Sequence, residues 1–170
     1  MARLDRRRRA GRDGVNGERP KPPVADPAPA ASRVRASFAK QAFMQLLGAE
    51  LSHVAPGECD ITLSYRTDLV QQHGFLHAGV SAAIADSACG YAALSLMPAD
   101  AAVLSIEYKV NMLAPAAGAR FVARGRVLRS GRTITVVRGT VHALTDDGES
   151  TQVLELQGTM MAVQGRGLAD

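Results

Sequence analysis

The chain lacks tryptophan, and aromatic residues make up only 4% of its 170 residues. Proteins that hold single-stranded nucleic acid stack bases on aromatic side chains, so this composition disfavours a base-stacking surface. No apolar stretch approaches the roughly 20 residues that a membrane-spanning helix needs, so we expect no membrane span. Hydrophobic residues still account for 46% of the chain, which is enough to build the core of one globular domain.

Cysteine is scarce, since the chain has only Cys59 and Cys89. Neither belongs to a C-x-x-C pair or lies near a histidine cluster, which disfavours a disulfide framework and a structural zinc site. This usage favours a reducing compartment, and we expect a cytoplasmic protein. Cys89 is an alternative nucleophile, but no basic residue adjoins it to lower the pKa of its thiol. We therefore predict that Cys89 is a packing residue.

Charge is concentrated at the N-terminus, where residues 1–32 hold eight Lys or Arg against four Asp or Glu. This segment carries the whole net charge of +4, because the other residues hold twelve of each sign. It is rich in Pro, Ala and Gly, so we predict a disordered basic tail over 1–32. A domain over 33–165 and a C-terminal tail over 166–170 complete the predicted organisation. An arm that binds nucleic acid is the alternative role for the tail; we favour a passive one and expect no nucleic-acid partner.

Hydrophobic periodicity predicts an α+β domain. Apolar residues at three- and four-residue spacing predict a helix from Val34 that ends near Gly48, and Pro56-Gly57 predicts the turn of a short hairpin. An aperiodic loop follows, and the Ala-rich stretch from Gly79 to Leu96 predicts a long, buried helix. Four β-rich segments come last, with sequences AVLSIEYKVNML, RFVARGRVL, RTITVVRGTVHAL and TQVLELQGTMMAV. Together these predict one long helix against an antiparallel sheet of about six strands.

Asp86 stands in an unusual setting, the segment QQHGFLHAGVSAAIADSACGYAA at positions 71–93. A bare carboxylate in an apolar core costs several kcal/mol or takes up a proton. The nearest helical neighbours of Asp86 are all small and include no base; they are Gly79, Ala82, Ala83, Cys89, Gly90 and Ala93. This small-residue face leaves room for a second chain or a ligand. The alternative is a solvent-facing aspartate on an ordinary amphipathic helix.

The segment HGFLHAG directly precedes this helix. Its glycines allow close backbone approach, and the first turn of a helix presents unpaired N–H groups that stabilise partial negative charge. A carboxylate one to two turns further along supplies a base or nucleophile. The two features together are the minimum needed to attack a polarised carbonyl.

The sequence H-A-G, followed seven residues later by Asp86, resembles the PaaI-like branch of the hotdog-fold thioesterases. In that family an HGG turn leads into a helix that carries a catalytic aspartate, and the resemblance covers roughly residues 34–163. It implies a hotdog fold, with the sheet wrapped around the helix, and an enzyme that hydrolyses acyl-CoA thioesters without a cofactor. One departure is Ala78, which replaces the middle glycine of HGG but keeps its backbone N–H.

The resemblance also implies roles for individual residues. Asp86 matches the acid that acts as nucleophile or as general base on water. The backbone amides of Ala78 and Gly79 match those that hold the thioester carbonyl oxygen. Gln71 falls where many relatives have an asparagine that orients the attacking group, and Ser105 matches a hydroxyl near the attacking water.

In this family two subunits share each site, so the resemblance implies a homodimer, or a tetramer, in which Asp86 faces the partner's turn at 77–79.

His73 and His77 are candidates for substrate contact; a metal site is the alternative, but no third ligand lies nearby and we expect no metal. Arg129 and Arg132 flank a turn and are candidates for binding the phosphates of coenzyme A. A solvated hairpin tip is the alternative for these two arginines.

Two other functions stay open at this point. A hotdog acyl-CoA hydratase or dehydratase would need a histidine and a carboxylate together at the reacting carbons, and the position of Asp86 fits the thioesterase pattern better. A non-catalytic module that only binds acyl-CoA is the second alternative. Release of free thiol from acyl-CoA substrates distinguishes the enzyme from the binding module.

Overall fold

Six antiparallel strands form one sheet in the computed structural model, which describes residues 27–168. In chain order the helices and strands are α1 (Pro27–Phe38), α2 (Ala42–Leu47), β1 (Glu50–Ala55), β2 (Glu58–Ser64), α3 (Ala78–Leu94), β3 (Ala102–Met112), β4 (Arg120–Ser130), β5 (Ile134–Leu144) and β6 (Ser150–Val163). A short 3-10 helix at Thr67–Leu69 lies in the predicted loop. The predicted α+β architecture is confirmed.

The strand order in the sheet is β1-β2-β4-β5-β6-β3. The chain therefore leaves β2, runs along α3 and returns at the opposite edge of the sheet as β3. Within the described residues no helix has the length and apolarity needed to cross a bilayer.

The helix α3 lies on a pair of glycines at the centre of the sheet. Gly125 of β4 is directly opposite Gly139 of β5. A Cβ atom on Gly125 would lie 2.3 Å from the Ala88 carbonyl carbon, and one on Gly139 would lie 2.8 Å from Cys89 Sγ. Ile84, Ala88 and Cys89 are fully buried on this side of the helix. Cys89 therefore packs against the sheet and does not belong to the small-residue face around Asp86. The absence of side chains at Gly125 and Gly139 allows the helix to lie this close to the sheet.

The N-terminal helix differs from the prediction in two ways. Where one helix was expected up to Gly48, the backbone at Gln41 is extended (φ −80°, ψ 93°) and separates α1 from α2. Helix α1 also begins at Pro27, so residues 27–32 are helical, although we predicted them as disordered tail. Ala30 and Val34 are buried at 6% and 0% exposure, and Val34 packs into the hydrophobic core, which stabilises this first helix. The predicted end near Gly48 is correct, with φ 70° there.

The predicted domain boundaries lie near the two ends of the chain. Residues 1–26 of the tail predicted over 1–32, and the last two residues, 169–170, lie outside the described part of the chain. Strand β6 ends at Val163, close to the predicted domain end at residue 165.

Arg33 connects α1 to the C-terminal end of α3. Its guanidinium donates hydrogen bonds to the backbone carbonyls of Leu94, Met97 and Pro98, the one to Met97 at 2.9 Å. The last carbonyls of a helix have no partner within the helix and carry partial negative charge. Arg33 therefore satisfies these acceptors and holds α1 against the end of the central helix.

We predict that Arg33→Met lowers the free energy of unfolding by about 2 kcal/mol, because the carbonyls lose a charged donor. Urea unfolding followed by circular dichroism measures this change. Arg35→Met, on the exposed side of the same helix, is the matched control and should change stability by less than about 0.5 kcal/mol. Equal effects of the two substitutions would contradict the assignment.

Candidate functional site

Asp86 is half-buried in the middle of α3 and faces β3. The Ser105 hydroxyl donates a hydrogen bond to Asp86 Oδ1 at 2.8 Å, and the same hydroxyl lies 3.3 Å from Met160 Sδ. Burial raises the pKa of Asp86, and the hydrogen bond from Ser105 lowers it in part. Because the net pKa shift is upward, the ionised carboxylate is a stronger base than an ordinary aspartate.

A cleft with a volume of about 310 Å³ opens beside this carboxylate. Gln41 closes one side from the α1–α2 connection, while Ser87, Gly90 and Tyr91 of α3 form the floor. Ser105 of β3 completes the wall next to Asp86. The predicted pair of Asp86 and Ser105 therefore lies in one accessible cavity.

His77 forms the N-terminal cap of α3. Its backbone is extended (φ −60°, ψ 135°), and its Nδ1 atom accepts a hydrogen bond from the Gly79 N–H at 2.9 Å. The Ala78 N–H has no hydrogen-bond partner within residues 27–168. Of the two amides expected to hold a carbonyl oxygen, Ala78 presents a free donor and Gly79 does not.

Alanine occupies position 78 without backbone strain. No residue other than glycine has a positive φ in the described part of the chain. Ala78 is instead the first residue of α3 and has helical geometry. The departure from the HGG pattern therefore leaves the amide donor in place.

A second cleft, of about 450 Å³, lies at the start of α3 and is mainly apolar. Both Gln71 and Ala78 line it, together with apolar residues that include Met112 and Leu113. Gln71 Oε1 accepts a hydrogen bond from the His73 backbone N–H, which orders the preceding loop. The predicted amide and orienting residue thus come together, but in a different cavity from Asp86.

The two halves of the predicted site are separated along α3. Asp86 is eight positions after Ala78, and a rise of 1.5 Å per residue makes this about 12 Å along the helix axis. A reacting carbonyl needs both groups within about 3.5 Å. One chain therefore supplies a carboxylate in one cleft and a free backbone amide in the other.

The four residues predicted to contact substrate are all exposed, and none lines either cleft. His73 lies beside the Gln72 side chain, and His77 caps the helix. Arg129 and Arg132 flank the turn between β4 and β5, so their contact with coenzyme A stays a prediction. Residues 27–168 contain no group of three His, Cys, Asp or Glu side chains that could hold a metal ion.

Both cysteines are free and buried. Burial raises the pKa of the Cys59 thiol to about 12 and also raises that of Cys89. A protonated thiol is a poor nucleophile. The structure therefore supports the packing role predicted for Cys89.

The sequence pattern did not predict that Gln41 and Tyr91 line the Asp86 cleft. The Tyr91 hydroxyl donates to Gln41 Oε1 at 3.3 Å, and Gln41 Nε2 approaches Ser87 Oγ at 3.5 Å. Tyr91 resembles a core residue by type, and its ring packs edge-on against Phe38 with the ring centres 5.7 Å apart. No local signal pairs residues 41 and 91, because their contact depends on the break between α1 and α2.

Comparison with known proteins agrees with this geometry. The thioesterase superfamily model matches residues 73–149. The crystal structure of a thioesterase family protein from Silicibacter pomeroyi is 48% identical, covers 80% of this chain and 99% of that chain, and has a TM-score of 0.78. The PaaI protein from the phenylacetic acid degradation operon of E. coli has the same fold, with a TM-score of 0.71 at 19% identity over 81% of this chain and 96% of that one.

A protein of Halobacterium salinarum that carries a provisional esterase name is 29% identical over 137 residues, which are 76% of this chain and 90% of the relative. The Silicibacter protein is 48% identical over nearly its whole length, which is a closer similarity than a shared fold alone requires. The chain belongs to the thioesterase superfamily, shares the hotdog fold of the PaaI protein, and is a hydrolase of thioester or ester bonds.

Proposed function

We propose that the protein hydrolyses acyl-CoA thioesters at sites that two protomers share. The observation that carries this proposal is the separation of the free Ala78 amide from the Asp86 carboxylate in one chain. Two antiparallel α3 helices related by a two-fold axis bring the start of each helix beside the partner's carboxylate. Ala82 and Ala83, which are only partly buried, permit this close approach.

The edge strand β3 supports a second copy of the chain at this position. Leu104, Ile106 and Tyr108 are 46%, 51% and 44% exposed. In the described sheet β3 pairs with β6 on one side and has no neighbouring strand on the other, and an edge strand of this kind can pair with a second chain. Because Ser105 lies on the same strand, a protomer that covers this edge also approaches the Asp86 cleft.

The proposed chemistry follows from the charges at the two half-sites. The Ala78 N–H and the positive end of the helix dipole polarise the thioester carbonyl and stabilise its developing oxyanion. The ionised Asp86 either attacks the carbonyl carbon and displaces coenzyme A as its thiolate, forming an anhydride that water then cleaves, or takes a proton from a water that attacks the same carbon and displaces the thiolate. Both routes yield the free acid and coenzyme A. An ionised carboxylate is required for either one.

We predict that the protein releases free thiol from short-chain, medium-chain and aryl acyl-CoAs, and that Asp86→Asn lowers turnover at least about a hundredfold. The released thiol is measured with a thiol-reactive chromophore. Asp100→Asn, an exposed carboxylate outside both clefts, is the control and should leave turnover unchanged. Binding of acyl-CoA without thiol release would instead identify a non-catalytic module, and hydration or dehydration of the acyl group would identify the other enzyme class.

Shared sites predict complementation between two inactive variants. Ala78→Pro removes the proposed oxyanion donor, and proline is well tolerated at the first position of a helix. The extended backbone of His77 also suits a residue before proline. Each variant alone should lose at least about a hundredfold in turnover. After subunit exchange, mixing Ala78→Pro with Asp86→Asn should restore about a quarter of wild-type activity, since half of the dimers then hold one intact site.

The matched control for this mixture is Ala78→Ser, which keeps the backbone N–H and should keep turnover. Exchange is monitored with differently tagged chains. A mixture that stays inactive although exchange is complete would rule out shared sites, as would full activity in a monomer.

The hydrogen bond from Ser105 predicts a change in pH dependence. This bond lowers the pKa of Asp86, so Ser105→Ala should raise that pKa further. Since the ionised carboxylate is the active form, the acidic limb of kcat/KM should move to higher pH, with activity lost more at pH 6 than at pH 8. Ser52→Ala, whose hydroxyl bonds to a backbone carbonyl on another strand, should leave the profile in place. An unmoved acidic limb in Ser105→Ala would contradict this role.

A further inference from the structure

The Asp86 cleft extends along α3 away from the carboxylate. Gly90, one helical turn beyond Asp86, forms part of its floor. A Cβ atom on Gly90 would meet no atom within 4 Å, so the space above this residue is open. An acyl group whose carbonyl lies at Asp86 can therefore run over Gly90 towards Tyr91. The rise between Asp86 and Tyr91 is about 7.5 Å, which is the scale of a medium-length acyl chain.

The far end of this space has a polar wall. The Tyr91 hydroxyl and the Gln41 amide are hydrogen-bonded to each other at 3.3 Å, and the Gln41 amide nitrogen is 3.5 Å from Ser87 Oγ. Both contacts are longer than the usual distances for such groups. Gln41 makes no side-chain capping bond to α2, so its amide is not required by that helix. The amide nitrogen and the hydroxyl are donors that a ligand can reach by small side-chain movements.

A lysine side chain adds positive charge to the edge of this cleft. Lys40 lines the cleft next to Gln41 and is exposed. Within residues 27–168 Lys40 forms no ion pair. A methyl-terminated chain pressed against Gln41 and Tyr91 would desolvate polar groups without replacing their water contacts. A terminal oxygen would accept from these donors, and an anionic one would also gain from Lys40.

We infer that the Asp86 cleft selects acyl groups that end in an oxygen acceptor, with Gln41 and Tyr91 as the specificity-determining residues. This inference rests on the proposed acyl-CoA hydrolysis and names the class of acyl group at that site. A carboxylate and a hydroxyl share the required acceptor chemistry. Lys40 distinguishes them, because it favours the carboxylate alone.

Three acyl-CoAs of equal chain length test the inference, namely adipoyl-CoA, ω-hydroxyhexanoyl-CoA and hexanoyl-CoA. The wild-type kcat/KM for the two oxygen-ended substrates should exceed that for hexanoyl-CoA by about tenfold or more, the scale of one good hydrogen bond. In Gln41→Leu and in Tyr91→Phe this ratio should fall towards one. If the natural acceptor is anionic, Lys40→Met should lower kcat/KM for adipoyl-CoA and leave that for ω-hydroxyhexanoyl-CoA unchanged. If the wild-type enzyme hydrolyses adipoyl-CoA and ω-hydroxyhexanoyl-CoA equally well, the natural acceptor is neutral.

Gln45→Leu is the matched control, because Gln45 lies one turn further on in α2 and does not line the cleft. It should preserve the wild-type ratio. A wild-type enzyme that hydrolyses hexanoyl-CoA as well as the other two overturns the inference and leaves the proposed thioesterase function standing. A preference that persists in both Gln41→Leu and Tyr91→Phe also overturns it. Thiol release from no acyl-CoA at all overturns the proposed function itself.

Discussion

The close contact between α3 and the paired glycines of the central strands is the constraint on which the rest of the structure depends. Gly125 and Gly139 face each other across β4 and β5, and any side chain there would collide with Ala88 or Cys89. The helix backbone consequently lies directly on the sheet, which fixes both its depth and its rotation. Because interiors are close-packed, this contact leaves little freedom for the other residues of α3.

The rotation of α3 determines the chemistry of Asp86. With Ala88 and Cys89 held against the sheet, Asp86 lies at the side of the helix, where β3 supplies Ser105 as its hydrogen-bond donor. Burial and this hydrogen bond act in opposite directions on the pKa of Asp86, and burial dominates. The site thus keeps a carboxylate that is more basic than usual while one hydroxyl holds its orientation. A buried cation beside Asp86 would have removed that basicity by lowering the pKa.

Much of this fold could be predicted from the sequence, because strand alternation, turn residues and the Ala-rich helix are local signals. The start of α3 was predicted within one residue and its end within two. The break at Gln41 was not predicted, since apolar spacing continues through it and the contacts of Gln41 with Ser87 and Tyr91 join residues far apart in the sequence. The occupied amide of Gly79 was also missed, because histidine is not among the usual N-cap residues. Such features depend on tertiary contacts that a single sequence does not display.

The rigidity of α3 limits what one chain can place at a single carbonyl group. Its first amide and its carboxylate lie more than one turn apart on a straight rod, so no bending of the helix brings both to one carbonyl. In the proposed dimer, a second helix that runs antiparallel would supply the missing donor at the correct height without altering either chain. The donor and the carboxylate then belong to different molecules, and the rigid packing of each α3 on its own glycine pair sets the distance between them. In the proposed shared site, the rigid packing within each chain would therefore also hold the reacting groups of the two chains in place.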